Sequence, residues 1–99
     1  MKPLFIAIEG LDGSGGTTQS RLLTRWLEKK GHNVLLTKEP TDEPIGMLIR
    51  DILRDPRSPI QDQVLPYLFA ADRKDHISRI IEPKLQAETF VVTDRYYHS

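Results

Sequence analysis

The chain has 99 residues, enough for one small domain, and its 38% apolar and 28% charged residues match a folded chain rather than a disordered one. Its 14 basic side chains are balanced by 14 acidic ones, which disfavours grip on a long nucleic-acid backbone but leaves small-anion binding open. It has no cysteine, so disulfides, thiolate metal sites and cysteine nucleophiles are excluded.

The run Leu4 to Ile8 is continuously apolar, the pattern of a strand buried on both faces in a parallel sheet. It is also far too short for a membrane span or a signal segment. With no such address in the sequence, the expected compartment is the cytosol, with no membrane partner. A glycine-rich turn follows from Gly10 to Gly16. Leu22, Leu23, Trp26 and Leu27 then recur at helical spacing, and Gly31 stands where a helix C-terminal glycine is expected. Asn33 to Thr37 reads as a second strand. Pro40 and Pro44 punctuate the loop after it, and Ile45, Leu48, Ile49, Ile52 and Leu53 mark one face of a helix that stops near Pro56.

A longer helical stretch carries Val64, Leu65, Leu68, Phe69, His76, Ile77, Ile80 and Ile81 on its inner face, and Pro83 is expected to kink or restart it. Phe90 to Thr93 reads as a third strand. Strands alternating with helices predict an α/β fold with a parallel sheet and right-handed crossovers. In such sheets ligands sit beyond the C-terminal ends of the strands. The glycine loop leaves the first strand there, and Asp94-Arg95 is expected to leave the third at the same rim.

Gly10-Leu11-Asp12-Gly13-Ser14-Gly15-Gly16-Thr17-Thr18 matches the phosphate-binding pattern G-x-x-x-x-G-K-[ST] except at the lysine, which is Gly16. Glycines let successive N–H groups turn inward as an anion nest, and the following helix adds its positive end. Thr17 supplies the hydroxyl expected to bind Mg²⁺ beside the phosphates. His32, His76 and His98 have no second ligand at metal spacing, so no zinc site is expected. By spacing alone, Phe69 suits a helix core as well as a ligand wall, and Asp72-Arg73 suits a solvated pair as well as a site.

Four segments in order resemble the thymidylate kinase family: Ile8 to Gly13, Lys38-Glu39-Pro40, Leu68 to Arg73, and Thr93 to Ser99. The resemblance implies a P-loop NTPase-type parallel sheet sandwiched by helices, here ending after its third strand. Residues 1–99 would then be the N-terminal part of a single kinase domain, without its lid and adenine-binding part and so without activity alone. It implies transfer of the γ-phosphoryl of ATP to thymidine monophosphate with Mg²⁺, in a protein that forms a homodimer through its helices. Asp12, Asp94 and Arg95 would be the catalytic set. Asp12 would contact the acceptor sugar, Phe69 would stack on thymine, Arg73 would reach the edge of the base, and Arg95 would hold the acceptor phosphate. Lys38, in place of an arginine, and Ser99 complete the acceptor set, and Asp94 joins Thr17 at Mg²⁺, partly through water. Two alternatives stay open: a P-loop kinase for another nucleoside or nucleotide, and a nucleotide-binding module without catalysis.

Overall fold

A computed structural model describes the backbone of residues 2–11 and 16–97 and the side chains of residues 2–9 and 18–95. In chain order the elements are β1 (Phe5–Leu11), α1 (Gly16–Lys29), β2 (Val34–Glu39), α2 (Pro44–Arg54), a 3₁₀ turn (Asp62–Val64), α3 (Leu65–His76), a π-helical turn (Ile77–Ile81), α4 (Glu82–Gln86) and β3 (Phe90–Tyr97). The three strands form one parallel sheet in the order β1-β3-β2. The last strand in the sequence is therefore the central one. This is the α/β arrangement that the alternation of elements predicts.

Strand alternation divides the sheet into two faces. Phe90 and Val92 of β3 pack with Leu27 of α1, and Ile6, Ile8, Leu23 and Val34 close around them. Val91 and Thr93 point the other way and are fully buried. Hydrogen bonds between His76 and both Thr37 and Glu39 hold α3 on that second face. Asp94 continues the α1 row and Arg95 continues the α3 row, so two adjacent residues look in opposite directions.

Several elements differ from the sequence reading. The strands run further toward their C-terminal ends than their apolar cores suggest. Asp94 and Arg95 lie inside β3, paired with Ile8 and Lys38 and with Glu9 and Glu39, rather than beyond its end. Backbone pairing with two neighbours fixes the chain there whatever the side chains are. On α1 only Leu23 and Leu27 of the apolar stripe turn inward, while Leu22 and Trp26 are 59% and 56% exposed. A single sheet face contacts only a narrow arc of a helix, and those two residues lie to one side of it.

Pro83 stands where the long helix restarts as α4, in line with the kink or restart that its position predicts. The Glu82 N–H bonds the Ile77 carbonyl five residues back, and Pro83 enters in the first turn of α4. Proline lacks an N–H and its ring collides with the carbonyl four residues earlier, so a locally widened turn accommodates both defects. Gly31 ends α1 at φ 91°, a conformation in which a side chain is strained, as its position predicts.

Candidate active site

The strand register assembles the centre of the site. Arg95 lies between Glu9 of β1 and Glu39 of β2 on the α3 face. Its Nη1 donates to Glu9 Oε1 at 3.1 Å, its guanidinium lies 5.6 Å from the Phe5 ring centroid, and its Nε is 3.2 Å from Glu39 Oε1. This last contact is an ion pair off the line of a hydrogen bond, and the buried Nε–H has no acceptor among the described residues.

Glu39 is 4% exposed and sits at the crossing of several interactions. Arg73 Nε donates to its Oε1 at 3.1 Å, and His76 Nδ1 approaches its Oε2 at 2.7 Å. His76 is fully buried, and its other nitrogen lies 2.9 Å from Thr37 Oγ1. An ionised carboxylate only accepts, so Nδ1 carries the proton toward Glu39. Burial works against the charge on Glu39. The hydrogen bonds from His76 and Arg73 and the nearby Arg95 charge outweigh it and hold the carboxyl below its ordinary value.

Helix α3 supplies the rest of this side. Phe69 and Arg73, one turn apart, line a cleft of about 950 Å³ whose other walls include Ile52, Leu53, Leu65 and Pro66. Ligand clefts of this size, apolar with a few fixed polar groups, suit a molecule such as a nucleotide. Asp72 is not a solvated partner of Arg73. It is buried and accepts bonds from Thr41 N at 2.9 Å and Thr41 Oγ1 at 2.6 Å, clamping the β2–α2 loop onto α3. Arg50 reinforces the clamp by donating to the Pro40 carbonyl. The Glu39–Pro40 peptide is cis.

A second cleft, of about 530 Å³, is lined by Ser20 and Arg21 of α1 together with Lys38 and Asp94. Lys38 pairs with Asp42 at 3.2 Å and neighbours Asp94 across the sheet. The structure thus joins Arg73 and Arg95 through Glu39, places Phe69 beside Arg73 in the cleft, and sets Lys38 next to Asp94. Thr18, exposed in the first turn of α1, follows directly on the backbone of Gly16 and Thr17. Asp12, Gly13, Ser14, Gly15 and Ser99 lie outside the described residues, as do the side chains of Leu11 and Thr17. Among the described residues no group of three or more His, Cys, Asp or Glu could hold a metal ion, and no helix is long and apolar enough to cross a membrane.

A family model described as thymidylate kinase matches residues 8–99. The chain belongs to the thymidylate kinase family. It is 49% identical to a probable thymidylate kinase of Pyrococcus horikoshii, covering all of this chain and 50% of that protein. It is 41% identical to the thymidylate kinase of Clavibacter sepedonicus, again over the whole chain and 47% of the relative. The crystal structure of the Ehrlichia chaffeensis thymidylate kinase superposes with a TM-score of 0.79 at 35% identity, over 96% of this chain and 51% of that one. The chain spans about half the length of the relatives it matches.

Two residues of this cluster, Glu39 and His76, are not among the site residues that the sequence reading singles out. Glu39 is part of the segment that carries the resemblance, but a glutamate beside a proline gives no sign of burial. His76 was set aside for lack of a metal partner. Its signal was position: it lies three residues after Arg73 and seven after Phe69, on the face of α3 that carries the other site residues.

Proposed function

We propose that the chain carries the acceptor-site half of an ATP-dependent kinase that moves the γ-phosphoryl of ATP to thymidine monophosphate, giving the diphosphate. The observation that carries this reading is the Phe69–Arg73 cleft joined through one buried carboxylate to Arg95. It supplies an aromatic wall, a planar donor for a base edge and a second guanidinium that shares the same carboxylate oxygen. Phe69 stacks on the base, Arg73 bonds its edge, and Arg95 grips the acceptor phosphate through its planar fork. The phosphate loop, residues 10–18, cradles the donor phosphates on backbone N–H groups, with Asp12 reaching the acceptor sugar.

Asp94, half-buried in the cleft beside α1, is a hard oxygen donor of the kind Mg²⁺ uses when it enters on substrate phosphates. With Thr17 it would hold that ion, partly through water, and the ion would neutralise charge between the donor phosphates. Lys38 stands on this side and adds positive charge near Asp94. Phosphoryl transfer asks little covalent chemistry of the protein, so positioning and neutralisation suffice. The acceptor oxygen attacks the γ-phosphorus as the bond to the β-phosphate oxygen breaks.

The assembly we infer is a homodimer through the helices, supported by exposed Met47, Leu48 and Tyr67 on α2 and α3. The setting is the cytosol, and the balanced charge supports small nucleotides rather than nucleic acid as ligands. The test is product formation by the full-length chain with ATP, Mg²⁺ and each nucleoside monophosphate in turn. Thymidine diphosphate should form fastest. Preference for another monophosphate would move the assignment to a different nucleotide kinase. Nucleotide binding without any diphosphate would make the chain a binding module, the outcome that Gly16 favours.

A further inference from the structure

Resting on the acceptor-site reading just given, we propose that Glu39, braced by His76 and Thr37, is a positioning residue that locks the base-side arginine and the phosphate-side arginine into one unit. Oε1 of Glu39 meets the Nε of Arg73 at 3.1 Å and the Nε of Arg95 at 3.2 Å. Nε is the inner nitrogen of the guanidinium. The hydrogen bond at Nε fixes the plane of the Arg73 fork, and the off-line ion pair to the same oxygen, with the Glu9 bond to Nη1, tethers the Arg95 guanidinium beside it. Two like charges would otherwise repel across this short gap, and the carboxylate between them removes that repulsion.

A buried carboxylate is costly unless its lone pairs are filled, and here the filling is itself supported. His76 Nδ1 occupies Oε2 at 2.7 Å, and the ring is held from its far side by Thr37 Oγ1 at 2.9 Å. The chain Thr37–His76–Glu39 runs from β2 to α3 and back to the end of β2, so both oxygens have fixed directions. The contrast with Glu9 is informative. It also bonds Arg95, but it is exposed, and among the described residues it is Glu39 that forms ion pairs with both arginines. The geometry therefore makes base recognition and phosphate recognition energetically dependent on each other.

The test uses the full-length chain and a double-mutant cycle of Arg73→Lys and Arg95→Lys, reading affinities for thymidine monophosphate, thymidine and ATP. In the Glu39 background the two substitutions should be non-additive, and in Glu39→Gln their effects should become additive. Glu39→Gln alone should weaken thymidine monophosphate binding by roughly tenfold or more, the scale of a lost bond between charged groups, with ATP affinity much less affected. His76→Gln should act in the same direction. His76→Asn, whose amide nitrogen can stand where Nδ1 does, should restore part of the loss, so the proposal remains testable if Glu39→Gln does not fold.

Unchanged monophosphate affinity and unchanged coupling in Glu39→Gln, with only a lower melting temperature, would overturn the proposal, and so would equal losses in the two His76 variants. If the wild type prefers another nucleoside monophosphate, the functional reading falls. The same cycle run with that acceptor still decides the role of Glu39.

Discussion

Phe69 lies half-buried at the wall of the larger cleft, with Arg73 one helical turn away. If its ring is a stacking surface, Phe69→Ala should weaken thymidine monophosphate binding by roughly 1–3 kcal/mol, the scale of aromatic–base stacking, and leave ATP binding nearly unchanged. Calorimetric titration with both ligands checks this, and a fall in melting temperature without a loss of affinity would return Phe69 to the core. Gly16 raises the opposite question, since it lacks a group the phosphate-loop pattern calls for. A backbone nest binds phosphate without a lysine, but losing one preorganised donor typically costs ~10²–10³ in rate. Arg21 and Lys38 both line the cleft that holds Asp94, and either can bring positive charge to that side. Turnover of Gly16→Lys should therefore stay close to wild type or fall through crowding and like-charge repulsion. A hundredfold rise would instead show that nothing replaces the missing cation.

At the scale of elements, α2 fits closely against the loop before it. A Cβ built on Gly46 would fall within contact radius of the Thr41 backbone oxygen and nitrogen, because the first turn of α2 rests directly on that loop. Gly46→Ala should destabilise the chain by about 1–3 kcal/mol through overpacking, measured as a lower urea midpoint at unchanged slope. That close approach had no trace in the apolar pattern of α2, which nevertheless marked Ile49 and Ile52 as its buried face. The same division holds elsewhere. Periodicity and the glycine and proline positions marked each helix and the core of each strand, because burial of apolar side chains drives those choices. Strand ends, the π-helical turn and the exposure of Trp26 depend on backbone pairing and on which neighbours arrive, and no local pattern records them. Motif resemblance singles out Phe69, Arg73 and Arg95. It passes over their ionic partners: His76 is marked only as an inner-face residue and Glu39 only as part of a segment, since a buried ionic pair looks in sequence like ordinary polar residues.

At the scale of the whole molecule, the buried cluster makes stability depend on acid. Glu39 is held below its ordinary value in the folded chain, so its contribution is complete above the usual glutamate range and is lost as pH falls through the lower folded value. The gap in unfolding free energy between wild type and Glu39→Gln should be full at neutral pH and should begin to close below about 4.5. Urea titrations between pH 7 and 3 measure it, and a constant gap would mean that the carboxylate contributes no net charge-dependent stability. The opposite orientation of Asp94 and Arg95 has a wider consequence, which is one of parity. β3 separates an Asp94 side, with Arg21 and Lys38, from an Arg95 side, with Glu9 and Glu39. Inserting or deleting one residue in β3 ahead of Asp94 would exchange the faces of the two side chains and take Arg95 away from Glu39. Two residues would restore the faces but carry the pair along the strand by one pleat, out of line with Glu9 and Glu39. Length in this strand is thus constrained twice, first by odd against even and then by distance, and the separation of the two charges is written in the count of residues as much as in their identity.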